Sequence, residues 1–83
     1  MHMDRAIFEL NASVEATSLY ILICALMDQG ESPTLERAIV QWHGTMETLL
    51  KAAEELMQRG VLEKSTPISK EQPVRVNSSD KWR

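Results

Sequence analysis

A single cysteine, Cys24, leaves no partner for an internal disulfide, so these 83 residues must be held together by packing alone. Cys24 lies inside an apolar run, where a small buried hydrophobe is the expected role and a reactive thiol is not. That run, residues 19–27, is nine residues long against the roughly 20 that a bilayer-spanning helix requires, which makes it core material. The opening Met1-His2-Met3-Asp4 lacks the basic stretch, apolar segment and small-residue cleavage site of a secretory leader, and a cytoplasmic location is the expectation. Without a leader, the triplets Asn11-Ala12-Ser13 and Asn77-Ser78-Ser79 count as chance matches to a glycosylation acceptor.

The residues of familiar active sites are missing too. His2 and His43 have no cysteine or further histidine at ligand spacing, so no metal is expected. There is no nucleophile and base pair, no glycine-rich phosphate loop and no paired carboxylate site; the acids fall on helix faces, and Glu54-Glu55 reads as solvated surface. An enzyme is not expected, nor is a cofactor.

Positive charge is scarce overall, with a formal net charge of −3, but it is unevenly spread. Residues 1–60 carry four Lys or Arg against nine Asp or Glu, whereas residues 61–83 carry five against three. A polyanion should therefore meet the C-terminal segment first.

What is present is helical periodicity, free of repeats and low-complexity tracts. Ser13 is placed to cap a first strong helix, with Glu15 in its first turn, running to Asp28-Gln29 before Gly30 stops it. Its middle is apolar nearly all round, which demands cover on more than one side, from a second copy of the chain or from the chain's own fold. The preceding Ile7, Phe8 and Leu10 either extend this helix or form a separate short element. Ser32, followed by Pro33, or else Thr34 caps a second helix, whose Leu35, Ala38, Ile39 and Trp42 stand at i, i+3, i+4 and i+7 before His43-Gly44 ends it. Thr45 caps a third, with Met46, Leu49, Leu50, Ala53, Leu56 and Met57 on its apolar side and Gly60 beyond its end. Trp42 reads as a core plug and His43 as a turn residue. Past Gly60 the period changes. Val61-Leu62, then turn residues with Pro67 and Pro73 as breakers, then Val74 and Val76 alternating with Arg75 and Asn77 predict two short strands around a loop. Trp82 is either an anchor for a partner or mobile.

From residue 17 to residue 77 this pattern resembles the winged helix-turn-helix superfamily. The resemblance is carried by Thr34-Leu35 at a helix start, the stripe from Ala38 to Trp42, the turn His43-Gly44, the cap Thr45, Thr48-Leu49, Leu56, Gly60 and Val61-Leu62. It implies a mainly α fold with a small β-hairpin, a three-helix core plus wing. Residues 13–77 are the domain, 1–12 an N-terminal extension and candidate dimerisation element, and 78–83 a flexible tail. A plain helical hairpin with a disordered tail is the competing fold. Independently of the resemblance, two apolar stripes meeting across a tight turn need small residues at their crossing, and Ala38 and Ala53 supply them.

The resemblance further implies a small DNA-binding protein, a transcriptional regulator acting as a homodimer joined through its N-terminal helix, with the third helix in the major groove of double-stranded DNA. Thr45, Glu47, Thr48 and Lys51, with Glu54 and Gln58, would face the duplex, and Lys64, Lys70 and Arg75 of the wing would straddle its backbone. Glu47 and Glu54 repel phosphates. They favour the alternative from a different class, a winged-helix module that binds another protein and no nucleic acid.

Overall fold

The computed structural model describes residues 3–64 and 68–83; His2, excluded above as a metal ligand, and Pro67, expected to break a strand, lie outside the described residues. Among the described residues four helices follow one another, α1 (Ala6–Glu9), α2 (Val14–Asp28), α3 (Leu35–Gln41) and α4 (Met46–Gln58), with a 3₁₀ turn at Ser79–Lys81. The radius of gyration, 11.4 Å, matches the roughly 12 Å expected of a compact domain of this length.

Each of the three longer helices begins on a hydroxyl. Ser13, Thr34 and Thr45 hold extended backbones and accept from the amides of Ala16, Arg37 and Thr48 at 3.1, 3.1 and 3.2 Å, satisfying donors that a helix start leaves orphaned. Of the two caps available to α3, Thr34 is the one used. That helix ends at Gln41, short of the expected His43-Gly44, because Trp42 turns extended. Gly30 and Gly60, at φ of +78° and +76°, take the left-handed turn after α2 and α4. The segment around Ile7 forms the separate element α1, and Asn11, at φ +59°, swings the chain from it into α2.

Helix α2 is central and packs against α1, α3 and α4, most extensively α4. This explains most of its all-round apolar character, since Ala16, Leu19, Tyr20, Ile23, Cys24 and Leu26 are all buried by its neighbours in the same chain. Close approach is made possible by alanines: Ala16, Ala38, Ala52 and Ala53, from three helices, are all buried, where a larger side chain would hold the helices apart. Among the described residues, no helix is long and apolar enough to cross a membrane.

Among the described residues of 61–77, where a hairpin is expected, the pairing is one antiparallel bridge, Leu62 with Val76. Two bonds frame it, from the Glu63 amide to the Arg75 carbonyl and from the Asn77 amide to the Val61 carbonyl, both 2.8 Å. Beyond the bridge the returning arm turns to α3 instead: the Glu36 amide donates to the Lys70 carbonyl (3.0 Å) and the Val74 amide to the Pro33 carbonyl (2.9 Å). Backbone groups used there are lost to a longer ladder, and Pro73 has no N–H to offer one.

Residues 78–83, expected to be a loose tail, pack against the domain. Trp82 is half-buried, sets its ring edge-on to Tyr20 with centroids 5.4 Å apart, and donates from its indole N–H to the Asn77 carbonyl (3.0 Å). The Arg83 amide donates to the Arg59 carbonyl (2.8 Å), and the Arg59 Nε donates in return to the Arg83 carbonyl.

Candidate functional site

The cap of α4 and the turn before it bring four of the expected residues onto one exposed face: Thr45, Glu47, Thr48 and Lys51. Each of the four already makes a contact within this turn of the chain. The Thr45 hydroxyl caps the Thr48 amide, while the Thr48 hydroxyl donates to the Thr45 carbonyl (2.9 Å) and accepts from the Trp42 indole N–H (3.0 Å). Gly44 is fitted to that contact, because a Cβ there would stand 2.7 Å from the Thr48 hydroxyl and 3.0 Å from the Trp42 nitrogen. Trp42 is thus half-buried, a plug for the turn as much as for the core. Lys51, the one Lys or Arg within α4, lies 3.8 Å from the Glu47 carboxylate one turn earlier. Glu54 and Gln58 continue the same exposed face.

The other expected cations fall in two places. Lys64 and Arg75 line one shallow hollow of about 180 Å³, together with Glu63 and the apolar Met57, Ile68 and Val74. Lys70 stands apart, exposed beside the first turn of α3, to which its carbonyl is bonded. In the first 60 residues, three of the four cations serve structure: Arg37 pairs with Glu31 at 3.3 Å, Lys51 with Glu47, and Arg59 donates to the Leu10 carbonyl at 2.6 Å.

Two features escape the sequence patterns. Glu55, read as solvated, is the acceptor for both the amide (2.8 Å) and the hydroxyl (2.7 Å) of Ser13, and those two bonds hold its carboxyl below the usual carboxylate range. The pair lies 42 residues apart, so no local spacing announces it. Residues Val14, Ile21, Leu22 and Ala25 of α2 face the Trp42-His43 turn across an open apolar groove of about 450 Å³, with Glu15 at its edge. The unbroken apolar run hid this groove, because a pattern apolar on every side does not say which side stays uncovered.

Among the described residues, no three His, Cys, Asp or Glu side chains gather as metal ligands would. Cys24 is buried, and burial pushes its thiol up, away from the reactive thiolate. Comparison with protein-family models, curated proteins and solved structures yields no match to this chain.

Proposed function

We propose that this chain is a winged-helix protein-interaction module that does not bind nucleic acid. The reading rests on one observation, the chemistry of the outward face of α4. That face presents Glu47 and Glu54 against a single cation, and this cation, Lys51, is shared with Glu47. Duplex DNA carries about one negative charge per 1.7 Å of its axis, so seating such a helix in the groove sets like charge against like. The threonine hydroxyls compensate little, since Thr48 would have to give up its bond to the Thr45 carbonyl to donate to a phosphate, which leaves Thr45 to donate alone. Support for the winged-helix part comes from the order of α2, α3 and α4, the short turn between the last two, the left-handed Gly60 and the Leu62–Val76 bridge behind it.

A second reading, a DNA-binding regulator, is favoured by a different observation: Lys64 and Arg75 share one hollow in the segment whose net charge is positive. Fluorescence anisotropy with a labelled random duplex, begun at low salt, separates the two. No binding is expected. Binding whose affinity falls with salt, with a slope that shrinks in Lys51→Ala or Lys70→Ala, would overturn the interaction module in favour of the regulator.

A further inference from the structure

The bridge between Leu62 and Val76 leaves an open edge. Its two framing bonds belong to the neighbours of the bridged pair, Glu63 with Arg75 and Val61 with Asn77, so Val76 itself turns its N–H and C=O away from Leu62. The Val74 amide points to that same outer side and is taken by the Pro33 carbonyl. The pairing stops there. Pro33 has no N–H to return to the Val74 carbonyl, and the chain before it closes α2 instead, with the Glu31 amide donating to the Leu26 carbonyl (2.9 Å). Among the described residues, neither backbone group of Val76 has a partner. This edge borders a groove of about 680 Å³ lined by Tyr20, Met27, Pro33, Val76 and Trp82.

We infer that the groove takes an extended segment of a partner protein, added as a strand to the outer edge at Val76, with one of its residues exchanging both N–H···O=C bonds with Val76. The inference rests on the interaction-module reading and names the form in which that module's partner binds.

Backbone chemistry selects this occupant. A polypeptide main chain carries an N–H and a C=O on each residue, the complement of what Val76 offers, whereas a phosphate backbone offers acceptors alone. Charge selects nothing here, because Asp4 and Arg75 are the charged residues lining the groove, one of each sign. Val76 packs against the core, so a residue paired with it faces the core side too, where Tyr20, Met27 and Trp82 lie. The partner segment is therefore apolar at that position.

The edge of a second copy does not fit. Two such edges paired antiparallel about Val76 would set Val74 of each copy across from Ser78 of the other, and the Pro33 that stands at bonding distance beside Val74 would collide there. A free segment avoids this by ending or bending away at Pro33.

Amide exchange and chemical shifts of the isotopically labelled full chain test the inference, with a capped, uncharged pentapeptide alternating threonine and valine as the probe. The Val76 amide is expected to shift and to exchange more slowly as peptide is added, the Trp82 indole to shift with it, and Thr48 to stay in place. The same peptide with both valine amides N-methylated keeps its side chains but cannot donate to the Val76 carbonyl, and it should bind about tenfold more weakly. A Val76 amide that exchanges at one rate with and without peptide would overturn the inference. So would an N-methylated peptide that binds as tightly as its parent, which would make the groove an apolar slot that reads no backbone. Protection of Val76 that rises with protein concentration in the absence of peptide would overturn it in favour of a second copy. Duplex DNA that binds would move Thr45, Thr48 and Lys51 and leave the Val76 amide as it was, so the reading beneath the inference fails by a different signal.

Discussion

The Glu55 carboxylate on α4 accepts from both the backbone amide and the hydroxyl of Ser13, the residue that caps α2, and so ties the start of one helix to the flank of another. Ser13 is therefore used twice, since the same hydroxyl that donates to Glu55 accepts from Ala16.

Removing either partner should show this coupling. Because the site is partly open to solvent, Glu55→Ala is expected to cost only about 1 kcal/mol, and Ser13→Ala, which loses the cap as well, about 2 kcal/mol. The double variant should cost less than the sum, as read by urea denaturation. The folded carboxyl lies below its ordinary value, so its contribution is complete above the usual carboxylate range and disappears as pH falls through the lower folded value. Acid denaturation of Glu55→Gln should lack that component.

Gly30 and Gly60 make a matched pair, both left-handed, at φ +78° and +76°. A Cβ at Gly30 meets nothing within 4 Å, whereas one at Gly60 would run into the backbone carbonyl of Lys81. Gly30→Ala is therefore expected to cost about 1 kcal/mol for its conformation alone, and Gly60→Ala about 3 kcal/mol once the displaced tail is included. Measured in a chain ending at residue 78, the two substitutions should cost the same.

Tyr20 is the chain's sole tyrosine, so absorbance at the phenolate band titrates it alone. Burial pushes its hydroxyl up to about 12, with the bond from the Asp4 amide, 2.8 Å, opposing the shift. The folded value is the raised one, so the neutral phenol's contribution is whole below the ordinary tyrosine value near 10 and is lost as pH climbs toward 12. Trp82→Ala, which uncovers the ring, should move the titration back toward 10 and cost about 2 kcal/mol.

Local signals made most of the scaffold readable. Ser13, Thr34 and Thr45 carry short hydroxyl side chains immediately before helical apolar patterns, and Gly30 and Gly60 stand where a left-handed turn follows, so caps and stops appear directly in the order of residues. The pairing of residues 61–77 was less readable. Val74 and Val76 alternate as a strand would, yet the amide of Val74 is taken by Pro33, a partner 41 positions away that periodicity cannot name. The tail misled for the same reason: its polar composition hides a tryptophan whose seat, Tyr20, lies on a distant helix. At the candidate site, the residue types and exposure of Thr45, Glu47, Thr48 and Lys51 followed from the helix face, but not the engagement of the threonine hydroxyls with Trp42 and the turn.

The acidic character of α4 is tested most directly by titrating isotopically labelled protein with a short random duplex at low salt and following the amide resonances of Thr45, Thr48 and Lys51. They are expected to stay in place through an excess of DNA. Displacements confined to those residues and to Lys64, Lys70 and Arg75, reversed by added salt, would contradict the proposal and identify α4 as a DNA-reading helix.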